Sequence, residues 1–440
     1  MSGETIVVGL GKSNLSVVRY LLDKGTVPLV VDTREKPALL NELPEGVEFR
    51  SGSLDSFREL FAGASLLVTG PGIPISSPSI AAAIAGGVEI AGDIELFVRD
   101  ARAPIVAITG ANGKSTVTTL VGLMGNEAGI KTSVGGNIGV PALDLLSDPA
   151  ELYVLELSSF QLETTKSLKA AACTILNVTE DHMDRYDFDI EKYAAAKRII
   201  YNNAEAVIYN RDDQRTYPPA GSIRTASFGV DSSDYGIMEE HGKTWLVKNG
   251  RKVLDSSEMK IVGRHNQLNA LAAMALCDLV GISEEVQVSV LRRFSGLPHR
   301  CQFVSEIRGV RYYNDSKATN VGSTIAAVDG LSAVVTGDIY LLAGGIGKGQ
   351  NFEPVGELLD QKVRKMFCFG RDASDLLKLG RGAEPAVDME DALKKAFSAA
   401  KPGDAVLLAP ACASMDMFKN FEERGDVFTT LVKKLEADNA

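Results

Sequence analysis

The chain has 440 residues, with 57 acidic against 46 basic side chains for a net charge of -11, and it is 45% hydrophobic and 23% charged. This is ordinary globular composition; at ~150 residues per domain it predicts about three domains and excludes a disordered or collagen-like chain. An acidic chain gains little from a phosphate backbone, which excludes nucleic-acid binding as the main role, so any anionic ligand must be held by local features.

Cys173, Cys277, Cys301, Cys368 and Cys412 are scattered, with no Cys-x-x-Cys pair. That pattern predicts neither a disulfide scaffold nor a cysteine zinc site, and fits a reducing cytoplasm. Met1-Ser2-Gly3-Glu4-Thr5 offers no basic segment before an apolar core, so no signal peptide is expected. The longest uncharged stretch, Ala62 to Val88, is broken by Pro71, Pro74, Pro78 and several glycines. It reads as strand, loop and helix, and no membrane insertion is expected.

Taken in chain order, Thr5 to Gly9 is a short apolar run, Asn14 to Lys24 has helical spacing, and Val27 to Val31 is a second apolar run ending at Asp32. Strand, helix, strand predicts a parallel sheet with helices on its faces. Ser65 to Thr69 predicts a strand and Ser79 to Ala85 a short helix, and the first domain is expected to close near Ala91-Gly92. A second unit opens at Pro104 with a strand over Ile105 to Ile108, a glycine-rich loop, and a helix to about Asn126. Leu152 to Leu157, Thr174 to Val178 and Ala206 to Tyr209 predict strands, and Ile190 to Ile200 and His265 to Leu279 predict helices. Gly296-Leu297-Pro298-His299-Arg300 has the composition of a hinge. Beyond it, strands are predicted at Val310 to Tyr313, Ile339 to Ala343, Lys365 to Phe369 and Ala405 to Leu408. The expected division is 1–91, 92–297 and 298–440, all α/β: Rossmann-like first and third units around a central phosphate-loop unit with a mostly parallel sheet.

Six segments bear on chemistry. Gly9-Leu10-Gly11-Lys12-Ser13-Asn14 sits between a strand and a helix, where backbone N–H groups and a helix N-terminus can meet a pyrophosphate. Asp32 lies about twenty residues on, where a ribose-binding acid belongs. Asn14 replaces the third glycine of the dinucleotide fingerprint, so a plain strand-helix turn stays open as a reading. Gly110-Ala111-Asn112-Gly113-Lys114-Ser115-Thr116 has the strand, loop and helix context of a phosphate loop: amides cradle the phosphates, Lys114 neutralises charge, and Ser115 offers a hydroxyl to magnesium. Glu156 at the next strand end can ligand that metal. His182, among Glu180, Asp181 and Asp184, is open to three readings: metal ligand, carboxylate contact, or structural residue. Lys197 reads from composition as an ordinary lysine on a solvated helix face. In the last third, Thr319, Lys348 and Ser414 each follow a predicted strand and either converge on a small anion or belong to independent loops.

As a set and in this order, the phosphate loop, Glu-Leu-Ser-Ser-Phe-Gln-Leu, Asp-His-Met-Asp-Arg, Gly-Arg-His-Asn, Pro-His-Arg, Asn-Asp-Ser-Lys-Ala-Thr-Asn and Ser-Met-Asp-x-Phe-Lys-Asn-Phe resemble the ATP-dependent Mur ligases of peptidoglycan synthesis, most closely the branch that adds D-glutamate. The resemblance spans essentially the whole chain. It implies a UDP-binding N-terminal domain, a central ATPase, and a C-terminal domain that closes over the site. The implied reaction adds D-glutamate to UDP-N-acetylmuramoyl-L-alanine with ATP, through an acyl phosphate and a tetrahedral intermediate, by a cytoplasmic monomer serving cell-wall growth and division.

The resemblance also implies residue roles. Lys114, Glu156, His182 and Lys197 would be catalytic. Gly110 to Thr116 would hold the ATP phosphates, with Asn269, Arg300 and Asp315 contacting the adenine nucleotide. Two Mg²⁺ ions would be held by Ser115, Glu156, His182 and Lys197, the lysine being N6-carbamylated. Gly11, Lys12, Ser13, Asp32, Thr33, Arg34, Gly70, Gly72, Asn137 and His182 would bind the UDP substrate, and Thr319, Lys348, Ser414 and Phe421 would bind D-glutamate. Three positions depart from the family pattern: Ala111 stands for the usual Thr, Gly70 for a common Ser, and Ile346 for a frequent Asp.

A sibling Mur ligase or a folylpolyglutamate-type amide ligase shares the central domain, but the Asp-Asn-Pro-Arg motif typical of the diaminopimelate-adding relative does not occur here. An NAD-dependent oxidoreductase would use Gly9 to Asn14 and Asp32 and leave the phosphate loop without a role. A regulatory ATP-binding module would have no need of Glu156, His182 and Lys197 together.

Overall fold

The computed structural model describes residues 4–221, 224–261, 263–332, 335–380 and 382–439, with the side chain of residue 360 also left aside. Met1 to Gly3, part of the segment used to argue against a signal peptide, lies outside the described residues.

Three sheets follow one another along the chain. The first contains β1 (Thr5–Val8), β2 (Leu29–Asp32), β3 (Phe49–Ser51), β4 (Leu66–Thr69) and β5 (Glu89–Ala91), all parallel, in the order β3-β2-β1-β4-β5. The second contains β6 (Ile105–Thr109), β7 (Thr132–Gly136), β8 (Leu152–Glu156), β9 (Ala172–Ile175), β10 (Ala206–Asn210), β11 (Arg224–Phe228), β12 (Tyr235–Glu240), β13 (Lys243–Lys248) and β14 (Arg251–Asp255). Its order is β14-β13-β12-β11-β10-β9-β6-β8-β7. The third contains β15 (Gln302–Ile307), β16 (Val310–Asn314), β17 (Ile339–Gly344), β18 (Val363–Phe369), β19 (Ala383–Pro385) and β20 (Ala405–Leu408), in the order β15-β16-β20-β17-β18-β19.

The predicted strands are mostly buried, with Arg311 in β16 an exposed exception. β6, Ile-Val-Ala-Ile-Thr, is buried at every position and pairs in parallel with β8 and β9. A strand covered on both faces reads as a continuous apolar run, which is what composition detects. The strands without that signal are short or lie toward the sheet edges. β13 and β14 begin and end on charged residues and form an antiparallel ladder with β12 at one end of the central sheet. β3 has three residues and no buried one.

The first two sheets share one apolar core. Val7, Leu10, Leu15 and Val30 belong to the same buried cluster as Ile105, Ala107, Tyr153 and Leu155. The helix Asp93–Asp100, placed after the expected boundary at residue 91, sits between them; its Phe97 meets Tyr153 edge-on at 5.0 Å. The predicted hinge is irregular: the helix Glu284–Arg293 ends before it, and Gly296 takes φ +94°. Among the described residues no helix is long and apolar enough to cross a membrane, and Ala62 to Val88 folds as β4, a loop and the helix Pro78–Ala85.

Candidate active site

The parallel topology decides where the motifs meet. In the central sheet β6 lies between β8 and β9, and β7 flanks β8. The phosphate loop, Glu156, the segment starting at Asn177 and Asn137 therefore emerge at one edge, at the carboxyl ends of adjacent strands. In the third sheet β20 lies between β16 and β17, so the loops carrying Thr319, Ser414 and Lys348 also neighbour one another. The two edges face each other across a cavity of about 720 Å³. Ala111 to Thr116, Asn137, Glu156, His182, Lys197, Asn269, Arg300, Asp315, Thr319, Lys348, Ser414 and Phe421 all line it. The three C-terminal loops thus converge.

The phosphate loop is held by its neighbours. Asn177 accepts the Asn112 N–H on Oδ1 (2.8 Å) and donates from Nδ2 to the Asn112 carbonyl (3.1 Å). Gly113 takes φ +84°, and a Cβ there would lie 2.3 Å from Asn269 Oδ1, so only glycine fits. Lys114 opens the helix Lys114–Glu127, and its Nζ donates to the carbonyls of Gly110 (2.8 Å) and Ala111 (2.9 Å). Burial pushes the Lys114 pKa down, against the opposing pull of Glu156 and Asp181.

Glu156 is 3% exposed. Its Oε1 accepts from Asn137 Nδ2 (2.7 Å), whereas Oε2 is buried without a hydrogen-bond partner. A buried carboxylate oxygen is costly to leave unpaired. Ser115 Oγ lies 2.7 Å from Arg300 Nη2. These oxygen donors fit a hard divalent cation. His182 takes a left-handed φ of 54° and meets Phe160 edge-on at 5.0 Å. Burial against the cavity wall, with Lys348, Lys114 and Lys197 also disfavouring its charge, lowers its pKa to about 4 despite Asp181 beside it. The neutral imidazole is the metal-ligating form.

Lys197 corrects the reading from composition. Far from facing solvent, it is 1% exposed, on the face of the helix Ile190–Arg198 that also buries Tyr193 and Ala194. Its Nζ donates to the Gly110 carbonyl (3.0 Å) and stands 4.3 Å from the centre of the Tyr193 ring. Burial, with Lys114 nearby, holds its pKa well below that of an ordinary lysine.

The two halves of the cavity are joined directly. Lys348 Nζ pairs with Asp181 Oδ1, and Asn320 Nδ2 donates to Asn112 Oδ1 (3.1 Å) and Asp181 Oδ2 (3.3 Å). The Lys348 ammonium holds the Asp181 carboxyl down at about 2 against the effect of burial. Lys348 itself has φ 54°, a conformation costing about 1–3 kcal/mol for a non-glycine residue.

Asp315 behaves oppositely. Burial raises its pKa to about 7, with Arg300 opposing the shift. The folded chain then retains a proton the unfolded chain has lost between ~pH 4 and ~pH 7, so this group's stabilising contribution falls as pH rises through that window. Asp315→Asn is expected to melt at an increasingly higher temperature than the parent over that range, with the gap level above it. Calorimetric melts across the pH series check this; a pH-independent gap would contradict it.

The expected UDP-site residues Gly11, Lys12, Ser13, Asp32, Thr33, Arg34, Gly70 and Gly72 do not line this cavity. They collect at the carboxyl edge of the first sheet, apart from Asn137 and His182, which do line it. Both Asp32 oxygens are engaged: Oδ2 accepts the Leu10 N–H (2.7 Å), and Arg34 clamps both oxygens. Asn14, in place of the third glycine, donates to the carbonyls of Val8 (2.9 Å) and Gly9 (2.7 Å). This accounts for Gly70: a Cβ there would sit 2.9 Å from Asn14 Nδ2.

Two further side chains carry no role in the sequence reading: Lys317, inside the Asn-Asp-Ser-Lys-Ala-Thr-Asn motif and lining the cavity, and Arg424, which does not line it. Lys317 stacks on Phe421 with Nζ 3.8 Å from the ring centre, and burial lowers its pKa to about 8. Arg424 is fully buried and donates to Ser316 Oγ (2.9 Å), the Ser316 carbonyl (2.8 Å) and the Cys412 carbonyl (3.1 Å). A helical arginine gives no local hint of such a role.

Comparison with known proteins places these features in context. Residues 3–92 match the Mur ligase MurD-like N-terminal domain, 108–277 the Mur ligase middle domain, and 299–412 the Mur ligase glutamate ligase domain. The chain is 53% identical over 432 residues, 98% of both chains, to UDP-N-acetylmuramoylalanine–D-glutamate ligase of Escherichia coli strain K12. Among solved structures, a pseudomurein peptide ligase type C from Methanothermus fervidus superposes with a TM-score of 0.64 at 16% identity, covering 98% of this chain and 100% of that one. UDP-N-acetylmuramate-alanine ligase MurC from Thermotoga maritima gives 0.62 at 20% identity, covering 99% and 100%. These two likenesses establish the shared fold.

Proposed function

The chain belongs to the Mur ligase family, and from that premise we propose that it joins the amine of D-glutamate to the L-alanyl carboxylate of UDP-N-acetylmuramoyl-L-alanine, cleaving ATP to ADP and phosphate. The observation that carries this reading is the single cavity in which a phosphate loop and a buried acid face three loops bearing Thr319, Lys348 and Ser414.

A carboxylate is a poor acylating agent. Transfer of the γ-phosphoryl group of ATP to the alanyl carboxylate converts it into an acyl phosphate, the amine attacks its carbonyl carbon, and the tetrahedral intermediate collapses with loss of phosphate. Several anionic groups must approach one another inside a chain of net charge -11. Lys114, Arg300, Lys317 and Lys348 line the cavity and set positive charge locally against that field. Lys114 and the N-terminal amides of its helix face the transferring phosphoryl group, where fixed positive groups are usually the largest catalytic contribution. Mg²⁺, when bound, neutralises phosphoryl charge as a Lewis acid. Ser115 Oγ and Glu156 Oε2 are the donors we assign to one ion, and His182 with a carbamylated Lys197 those we assign to a second.

Asn269, Arg300 and Asp315 take the adenine nucleotide in this reading. The first-sheet residues from Gly11 to Gly72 take the uridine nucleotide, and Asn137 and His182 the muramoyl end. Thr319, Lys348, Ser414 and Phe421 take D-glutamate. The contacts of Asn320 with Asn112 and of Arg300 with Ser115 hold the third domain over the phosphate loop, which excludes water from the acyl phosphate. We retain the division 1–91, 92–297 and 298–440. ATP as co-substrate and five unpaired cysteines support a cytoplasmic setting.

Phosphate release with ATP, Mg²⁺ and UDP-N-acetylmuramoyl-L-alanine tests the proposal. Release is expected with D-glutamate and not with L-glutamate, L-lysine or meso-diaminopimelate, with a product heavier by one glutamate residue. Release with a different amino acid would move the chain to a sibling activity, and release with none would remove the ligase reading.

A further inference from the structure

We propose that Gln350 is a positioning residue for the amino-acid pocket, locking the three loops that carry Thr319, Lys348 and Ser414 into one arrangement. The inference rests on the functional reading above. Gln350 is 7% exposed and every polar atom of its side chain is used. Oε1 accepts the N–H of Val321 (2.8 Å), and Nε2 donates to the carbonyls of Gly347 (2.9 Å) and Ala411 (2.7 Å). Val321 opens the helix Val321–Ser332 two positions after Thr319, Gly347 directly precedes Lys348, and Ala411 lies three positions before Ser414. The three partners thus belong to the loops that follow β16, β17 and β20.

Two of these loops contain left-handed non-glycine residues, Lys348 with φ 54° and Ala411 with φ 58°. Such conformations persist only where the surroundings over-determine them. The Gln350 amide bonds the carbonyl on the N-terminal side of Lys348 and the carbonyl of Ala411 itself. Asp372 takes the Gly347 N–H (2.7 Å), and Arg424 spans the same three segments on the strand-proximal side, donating to Ser316, Gly344 (3.4 Å) and Cys412. Gln350 is the tie that reaches Gly347, the residue directly before Lys348, and joins it to Val321 and Ala411. A primary amide suits the task because it carries two N–H donors and an acceptor on one planar group. A carboxylate would face two carbonyl oxygens with no proton to give, and a thioether would make none of the bonds.

Steady-state phosphate release is measured for the parent protein, Gln350→Met and Gln350→Glu, varying one substrate at a time. The KM for D-glutamate is expected to rise by about tenfold in both variants, equivalent to about 1.4 kcal/mol. The KM values for ATP and the UDP substrate are expected to stay within about twofold. For Gln350→Glu the D-glutamate KM is expected to fall back toward the parent value as pH is lowered, since a protonated acid regains one donor. A parallel rise in all three KM values, an unchanged D-glutamate KM, or failure of both variants to fold would overturn the proposal in favour of a purely structural role. If the parent protein turns over a different amino acid, it is the functional reading that fails, and the same KM ratio is then read for that amino acid.

Discussion

Lys114→Ala is expected to lower kcat for phosphate release by about a thousandfold, on the scale of removing a principal charge-stabilising group. The ammonium sits over the loop it must serve, donating to the carbonyls of Gly110 and Ala111 at the N-terminus of the helix Lys114–Glu127. Its charge is held there against burial, which lowers its pKa. Removing it relieves a buried cation, so the melting temperature is expected to stay level or rise while turnover collapses, a pattern common where an active site stores unfavourable interactions. Lys114→Arg is not expected to restore activity, because a planar fork does not reproduce a point charge on a flexible stem. Single-turnover measurement of ADP formation, with thermal melts alongside, checks both halves. A kcat within tenfold of the parent value would remove Lys114 from the phosphoryl-transfer step.

The second large effect is expected at Lys197. Carbamylation proceeds as R–NH2 + CO2 → R–NH–COO⁻ + H⁺ and requires the neutral amine. Burial holds the Lys197 pKa well below that of an ordinary lysine, which favours the neutral, nucleophilic amine. The modification would place an anion beside Lys114 and would offer oxygen to a hard metal ion. Incubation with ¹³C-bicarbonate is expected to give one carbamate resonance that Lys197→Ala lacks. That variant is expected to lose about a hundredfold in kcat, on the scale seen when a metal site loses its support. Exhaustive removal of bicarbonate is expected to lower parental activity reversibly, more strongly as pH falls and the amine is protonated. A parent protein that shows no carbamate resonance and keeps full activity without bicarbonate would rule the modification out.

Much of the site was legible in sequence because its motifs are local. The phosphate loop combines a buried strand, a glycine-rich turn and a helix within about a dozen residues, and Glu156 ends an apolar run; both signals survive in one dimension. Lys197 was misread for the opposite reason. Its helix is short, with three alanines before the lysine, and nothing in it says which face meets the phosphate loop, whose Gly110 lies 87 positions earlier. Gln350 gave no signal either, since its three partners lie 29, 3 and 61 positions away.

By itself the sequence determined the alternation of buried strands and helices, the two clusters of strand-end motifs, and through their joint order the family. These depend on hydrophobic periodicity and turn chemistry within short windows. Only the tertiary structure decided that β6 lies between β8 and β9, and β20 between β16 and β17, so that their loops face one cavity. It also decided that Asp32 is clamped by Arg34 and that Lys197 is buried rather than solvated. Strand order and burial are set by packing between segments far apart in the chain, and a pKa follows burial; none of these is a property of local composition.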